Sequence, residues 1–180
     1  MYKVYTSAVV IIPPKEIWGP IQEIRKRYDH QINRWMPHIT LIYPFRPESE
    51  FDNLETEFKA VCMQIHPFKI ILKLFNHFTH GHHNLTIWLQ PEPKINIVDL
   101  QNRIQKIVPN CNDVQLYKNG FIPHLSLGQI KDKNLLMDTI KILENKWEKQ
   151  TFILDRIYFI ARKQGKNSSF KEKTIIKLSS

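Results

Sequence analysis

Two short segments of this chain combine a histidine with a hydroxyl side chain in an otherwise apolar run. The first is MPHITLIYPF, residues 36–45, and the second is IPHLSLGQI, residues 122–130. In both segments a proline precedes the histidine, and one apolar residue separates the histidine from a threonine or a serine. Burying such polar groups costs free energy unless each of them finds a partner. Their repetition therefore indicates that they serve a purpose other than packing.

The types and spacing of these residues favour acid and base chemistry on a phosphodiester. Both segments are predicted strands, in which alternate side chains share a face, so His38 lies beside Thr40 and His124 lies beside Ser126. If the two strands approach across a cleft, one histidine can take a proton from an attacking oxygen while the other gives a proton to the departing oxygen. The hydroxyls can hold the phosphate oxygens. Histidine titrates near neutral pH, so this chemistry needs no metal or other cofactor. The sequence leaves open which histidine is the base.

The composition is that of a globular protein and favours an anionic partner. The 180 residues suit a single domain that spans the whole chain, and 42% of them are hydrophobic while 24% are charged. There are 26 lysines and arginines against 17 acidic residues, which gives a net charge of +9. This balance favours nucleic acid or phosphate as the partner, although a basic surface alone does not decide between partners.

No segment of the sequence predicts export or membrane insertion. The first 15 residues contain a short apolar run that ends at Pro13 and Pro14 and lacks a cleavage site of small residues. No window approaches the roughly 18 apolar residues that would cross a bilayer. Cys62 and Cys111 are far apart and predict buried free thiols. We expect a monomer inside the cell, in the cytoplasm, with the nucleus as an open alternative.

Hydrophobic periodicity predicts an α+β fold in which helices cover sheets. Strands are predicted at 3–12, 38–44, 68–78, 84–90, from about 121, at 151–161 and at 173–178, and helices within 14–30 and at about 49–64, 95–107 and 135–147. The two histidine motifs lie almost half the chain apart. This weak internal duplication predicts two similar lobes.

The paired motifs resemble the signature of the 2H phosphoesterase superfamily, which contains the 2'-5' RNA ligase-like proteins and the RNA 2',3'-cyclic phosphodiesterases. Members carry two H-x-[ST]-x motifs, and HITL at residues 38–41 and HLSL at residues 124–127 match them at every position. The resemblance implies a bilobal α+β fold with a pseudo-twofold axis and a basic cleft between the lobes. It also implies metal-independent chemistry at 2',3'-cyclic or 2'-5' phosphodiester bonds of RNA, oligonucleotides or cyclic nucleotides.

Three further residues are candidates for substrate binding. Tyr43 and Phe45 follow the first motif and could stack on a base, as aromatic side chains do in proteins that bind single strands. Arg162 lies near the end of a predicted strand and could contact a phosphate. For each of them the alternative is an ordinary structural role, in the core for the aromatic residues and in solvent for the arginine.

Two other functions remain open at this point. A non-catalytic RNA or nucleotide-binding module would use the same cleft, with salt-sensitive binding and no turnover. A metal-binding protein would use the histidine cluster at His77, His80, His82 and His83. Since no cysteine or carboxylate completes a tetrahedral set beside that cluster, we expect no metal site there.

Overall fold

The computed structural model describes residues 2–80, 85–116, 119–165 and 167–179, which form an α+β fold of four α-helices and eight strands. The helices are α1 (Trp18–Tyr28), α2 (Phe51–Cys62), α3 (Lys94–Gln105) and α4 (Lys133–Lys146). The strands are β1 (Ser7–Ile11), β2 (Ile39–Ile42), β3 (Phe68–Thr79), β4 (Leu85–Glu92), β5 (Leu125–Ile130), β6 (Gln150–Leu154), β7 (Arg156–Ala161) and β8 (Lys171–Lys177). None of the helices in this described part of the chain has the length and hydrophobicity of a transmembrane segment.

The strands form one antiparallel sheet whose two halves are related by a pseudo-twofold axis. Its order is β6-β3-β4-β5-β2-β1-β7-β8, so that β5-β4-β3-β6 in one half corresponds to β2-β1-β7-β8 in the other. The halves meet where Ile39 of β2 pairs with Leu125 of β5. The neighbouring strands both break register at the equivalent place, between Val9 and Val10 in β1 and between Ile87 and Trp88 in β4. The expected α+β fold with two related lobes is confirmed, although one continuous sheet joins the lobes.

The predicted strand at 151–161 is wrong in one respect, because the structure divides it between the two lobes. Gln150–Leu154 pairs with β3 in one half of the sheet, whereas Arg156–Ala161 pairs with β1 in the other half. Only Asp155 connects the two strands. Since one residue spans less than about 4 Å, the sheet must curl until its two halves meet here. Hydrophobic alternation continues across Asp155, which is why the sequence reads as one strand.

The four helices pack on one face of the sheet and leave the other face to form the cleft. The core on the helix side contains fully buried side chains from the helices and from both central strands, among them Ile21, Phe58, Leu100, Ile39 and Leu125. A smaller cluster that includes Val10 and Ile160 lies apart from this core, with aromatic side chains packed against it. Because alternate residues face opposite sides, the polar members of β2 and β5 point away from the helices.

The end of α1 lies directly against β5 at Gly128. Gly128 has a φ of 151°, and a Cβ built on it would lie 2.3 Å from the backbone carbon of Tyr28. Only glycine therefore permits this close approach of helix and strand. Arg25, in the last turn of α1, is almost fully buried, forms a 2.7 Å ion pair with Asp29 and donates a 2.8 Å hydrogen bond to the carbonyl of Trp35. These contacts hold the segment that leads from α1 into the first histidine motif.

Candidate active site

The two motifs lie at the centre of the sheet, on either side of the pseudo-twofold axis. His38 and His124 each stand one residue before the central pair Ile39–Leu125. Ile39 and Leu125 are fully buried on the helix side, whereas Thr40 and Ser126 are partly exposed. The alternation predicted from the sequence therefore presents equivalent polar side chains on the open face of the sheet.

Both histidines make the same hydrogen bond with the backbone. Nδ1 of His38 lies 2.7 Å from the carbonyl oxygen of Met36, and Nδ1 of His124 lies 2.7 Å from the carbonyl oxygen of Ile122. A carbonyl oxygen can only accept a hydrogen bond, so Nδ1 carries the proton in each neutral ring. The lone pair is then on Nε2, which is the nitrogen able to exchange a proton with a substrate.

Aromatic side chains hold the two imidazoles in different ways. The ring of Trp35 stacks on His38 with centroids 4.7 Å apart, and Phe170 stacks on Trp35 at 3.8 Å. By contrast, His124 meets Phe78 nearly at right angles, with centroids 4.9 Å apart, and Phe78 stacks on Trp88 at 4.8 Å. Each histidine is thus fixed by a backbone carbonyl and an aromatic pair, but only His38 has a stacked face.

Burial favours the neutral form of both histidines. It is the main cause that lowers the pKa of His38 from 6.5 to about 4, helped by the positive charges of Arg25 and His124 and opposed by the hydrogen bond with Met36 and by Asp29.

The pKa of His124 is lowered as well, first by burial and then by the charge of His80, against the hydrogen bond with Ile122. The neutral form of both rings is therefore favoured at pH 7.

A cavity of about 660 Å³ opens over the central strands. Its lining includes Thr40, Tyr43, His124 and Ser126, whereas His38 is not among the lining residues. His38 is nevertheless partly exposed, on the strand face that Thr40 occupies. A volume of this size is typical of pockets for small organic ligands, about 300–1,000 Å³. The structure thus brings three of the four motif side chains, Thr40, His124 and Ser126, to one cavity.

A family model for the 2'-5' RNA ligase superfamily matches residues 13–166. The chain belongs to this superfamily. A Geobacillus kaustophilus protein that is provisionally named a phosphoesterase is 30% identical to this superfamily member over 122 residues, which is 67% of each chain. A Bacillus licheniformis protein with a similar provisional name is 23% identical over 153 residues, or 84% of this chain and 87% of that protein. Membership of the superfamily supports a phosphoesterase activity.

Solved structures of similar proteins share the fold of this superfamily member. The crystal structure of Escherichia coli LigT complexed with 3'-AMP has a TM-score of 0.67 at 13% identity and covers 98% of this chain and 99% of LigT. A protein of Thermus thermophilus has a TM-score of 0.64 at 13% identity, over 96% of this chain and 97% of its own. At this identity the likeness establishes the LigT-like α+β fold and nothing finer.

The three residues expected to bind substrate lie in different environments. Tyr43 lines the cavity, and its hydroxyl donates a 3.3 Å hydrogen bond to the carbonyl of Tyr5, so its role as a stacking residue stays a prediction. The expectation for Phe45 is wrong, because its side chain is fully buried on the helix side and packs against Phe58 and Phe159. A ring with no exposed face cannot stack on a base.

Arg162 lies beside the aromatic stack that supports His38. Its guanidinium carbon is 5.4 Å from the centroid of Phe170, and Nη1 donates hydrogen bonds to the carbonyls of Lys163 and Gly165 and to the hydroxyl of Ser168. Through these contacts Arg162 has a structural role, because it stabilises the loop that follows β7. Contact between Arg162 and a phosphate stays a prediction.

The histidine cluster lies partly outside the described residues. His82 and His83 fall there, while His77 and His80 line the central cavity. Among residues 2–80, 85–116, 119–165 and 167–179, no group of three or more histidine, cysteine, aspartate or glutamate side chains could hold a metal ion.

Sequence reasoning missed the aromatic residues that support the histidines. Trp35 comes from the loop before the first motif and Phe170 from the loop between β7 and β8, whereas Phe78 and Trp88 come from two neighbouring strands. The single signal in the sequence is the position of Trp35, three residues before His38. The pairing of Phe78 with Trp88 follows only from the strand register.

Proposed function

We propose that this protein is a metal-independent phosphodiesterase that opens 2',3'-cyclic phosphates or cleaves 2'-5' phosphodiester bonds derived from RNA. The observation that carries the proposal is the matched presentation of His38 and His124. Each has its Nδ1 bonded to the carbonyl two residues earlier, and each precedes a hydroxyl side chain in the lining of one cavity. Two neutral imidazoles held alike on either side of an axis suit a reaction that needs one base and one acid.

For a 2',3'-cyclic phosphate, the two histidines act on opposite sides of the phosphorus. Nε2 of His38 takes a proton from the attacking water as the new P–O bond forms. Nε2 of His124 gives a proton to the ribose oxygen as the old P–O bond breaks, which leaves a 2'- or 3'-phosphate. The same scheme cleaves a 2'-5' bond, with the ribose 5'-oxygen as the leaving group. Solvent then returns a proton to His124 and removes one from His38.

The electrostatics support His38 as the base and His124 as the acid in hydrolysis. Burial is the main cause that lowers the pKa of His38 to about 4, and the positive charge of Arg25 lowers it further. A ring with this environment stays neutral and able to accept a proton at pH 7. An anionic phosphate bound next to His124 favours its charged form and thereby supplies the acid.

The hydroxyls of Thr40 and Ser126 hold the non-bridging oxygens of the phosphate. Both side chains line the cavity and lie on the same sheet face as the histidines. Hydrogen bonds aimed at those oxygens stabilise the charge that grows on them in the transition state. The similarity to LigT, whose crystal structures contain 3'-AMP and ATP, supports a nucleotide as the group bound beside them.

The experiment is a substrate panel in the presence of a chelator. Purified protein is incubated with 2',3'-cyclic nucleotides and with 2'-5' and 3'-5' dinucleotides, and phosphorus NMR identifies the position of the product phosphate. We expect turnover of a cyclic or 2'-5' substrate with a single phosphate isomer as product. Since one base and one acid must both be in the correct state, the rate should depend on pH as a bell-shaped curve.

The control is His66→Ala, which removes an exposed histidine whose Nδ1 contacts the hydroxyl of Ser179. This variant should keep the activity of the wild type. Binding of nucleotides that weakens with salt, together with no turnover of any substrate, would instead favour the non-catalytic binding module. Turnover that disappears with the chelator and returns with a divalent metal would contradict the two-histidine scheme.

A further inference from the structure

His38 lies at one end of a column of stacked rings that reaches to the loop between β7 and β8. The ring of Trp35 stacks on His38 with an angle of 16° between the planes, and Phe170 stacks on Trp35 at 25°. With centroids at 4.7 Å and 3.8 Å, the two outer rings would overlap if they shared one face of the indole, so they lie on opposite faces. We propose that Trp35 is a positioning residue for catalysis by His38, and that the loop between β7 and β8 holds Trp35 through Phe170. This inference rests on the proposed function and adds residues outside the two motifs to it.

The backbone before the first motif is attached at three consecutive carbonyl oxygens. The carbonyl of Arg34 accepts a 2.9 Å hydrogen bond from the backbone N–H of Phe170, and the carbonyl of Trp35 accepts one of 2.8 Å from Arg25. The next carbonyl, that of Met36, lies 2.7 Å from Nδ1 of the motif histidine. The carbonyl that orients this imidazole therefore belongs to a segment that α1 and the loop before β8 both hold.

The indole of Trp35 is itself held by its neighbours. Tyr43 meets it at an angle of 80° with centroids 5.4 Å apart, in addition to the two stacked rings. Behind it, Phe170 is 3% exposed, and the guanidinium carbon of Arg162 lies 5.4 Å from the centroid of the phenyl ring. Rotation of the imidazole of His38 would break the stack and the hydrogen bond at Nδ1 together. A packed support of this kind fixes the direction in which Nε2 points.

Among the described residues, the second motif has no equivalent column. Phe78 meets His124 at an angle of 87° and Trp88 meets it at 61°, so neither ring lies parallel to that imidazole. The proposed support therefore belongs to the base of the reaction and not to the acid. Loss of the column should change the state of one histidine only.

The first test is the protonation of His38. Burial is the main cause that lowers its pKa to about 4. The titratable groups that also act on it are Arg25, His124 and Asp29. Trp35→Ala admits water to one face of the imidazole, so the pKa of His38 should rise from about 4 toward 6.5, which an NMR titration of the ring measures. The acid limb of the kcat/KM profile reports the base of the free enzyme and should move to higher pH as well.

The second test separates positioning from contact with the substrate. On a 2',3'-cyclic nucleotide at about pH 7, Trp35→Ala should lower kcat by roughly tenfold to a hundredfold and change KM by less than about threefold, because a displaced base costs rate and not binding. Trp35→Phe keeps an aromatic ring between the imidazole and Phe170, and it should restore kcat to within about threefold of the wild type. Trp18→Ala is the matched control, because Trp18 packs against the same small cluster as Trp35. It should leave kcat and the pKa of His38 as they are in the wild type.

Phe170→Leu tests the part that the loop plays. It removes the ring behind Trp35 and keeps apolar volume, and circular dichroism confirms that the variant is folded. We expect kcat to fall by roughly threefold to tenfold, with no further loss when the change is added to Trp35→Ala, because Phe170 acts through Trp35. This variant also decides the case if Trp35→Ala does not fold.

The two measurements distinguish failure of this inference from failure of the proposed function. The NMR titration needs no turnover, so a raised pKa of His38 in Trp35→Ala and Phe170→Leu, absent in Trp18→Ala, supports the column even if no substrate is hydrolysed. Turnover by the wild type, with kcat and the pKa of His38 unchanged in both variants, overturns the inference and leaves the phosphodiesterase proposal standing. A rise in KM at unchanged kcat overturns it too, since Trp35 would then contact the substrate and not position the base.

Discussion

His38 should make the stability of the fold depend on pH. Its pKa is lowered from 6.5 to about 4 in the folded chain, first by burial and then by Arg25 and His124. In the unfolded chain the pKa returns to its ordinary value. Between these two values the unfolded state binds more protons than the folded state, so stability falls as the pH falls. The stability that depends on a neutral His38 is fully present above the pKa of the unfolded chain, and it is lost as the pH decreases from about 6.5 to about 4.

The magnitude follows from the two pKa values. At about pH 5 the difference between the folded and unfolded pKa of His38 lowers the free energy of unfolding by about 2 kcal/mol. Well below both pKa values the loss reaches about 3 kcal/mol. Replacing His38 with glutamine removes the titrating group and keeps a side chain that can donate to the carbonyl of Met36. We therefore expect the wild type to lose about 2 kcal/mol more than His38→Gln between about pH 7.5 and pH 5.

Urea unfolding followed by tryptophan fluorescence measures this difference at each pH. Comparing the two proteins at both pH values cancels the titration of the carboxylates and any effect of the substitution that does not depend on pH. His66→Gln is a matched control, because His66 is exposed, and it should lose as much stability as the wild type. A difference below about 0.5 kcal/mol between the wild type and His38→Gln would refute the reasoning, since surface substitutions vary by that amount. An NMR titration that places the pKa of His38 near 6.5 would refute it as well.

Two further predictions concern the glycines and the hydroxyls. Gly128→Ala should destabilise the fold by about 2–4 kcal/mol, because the new Cβ overlaps the backbone of Tyr28 at a positive φ. Gly19→Ala, the same change in α1 where no atom lies within 4 Å, should instead stabilise it by about 0.5–1 kcal/mol, and thermal unfolding distinguishes the two outcomes. Thr40→Val and Ser126→Ala should each lower kcat by about 10²–10³ without lowering the melting temperature by more than a few degrees. Thr40→Ser keeps the hydroxyl and should retain most of the rate; a loss as large as that of Thr40→Val would show that the methyl group and not the hydroxyl matters.

The sequence was sufficient for the fold class and for the orientation of the central strands. Side chains alternate between the two faces of a strand, so HITL and HLSL predict that Ile39 and Leu125 face the helices. In the structure both are completely buried. Thr40 and Ser126 come to a shared cavity for the same reason. Local alternation is enough here because it depends only on the geometry of a strand.

Long-range pairing explains what the sequence could not provide. Phe45 looks like a candidate for stacking because it follows a motif, but its side chain reaches the helix-side core after β2 has ended. Tyr158 and Phe159 alternate on β7, and only the partners of that strand show that Phe159 joins the core while Tyr158 packs on the open side. The same holds for the aromatic pair of Phe78 and Trp88, which meet across two strands.

The central claim is that His38 and His124 act together on one phosphorus. The most direct measurement is kcat for the wild type, His38→Ala, His124→Ala and the double variant, in chelator, on a dinucleotide that ends in a 2',3'-cyclic phosphate. Circular dichroism confirms that each variant is folded. We expect each single variant to lose about 10²–10⁴ in kcat and the double variant to lose far less than the product of the two, because the acid and the base act as a unit. A folded single variant that keeps kcat within about threefold of the wild type would contradict the account.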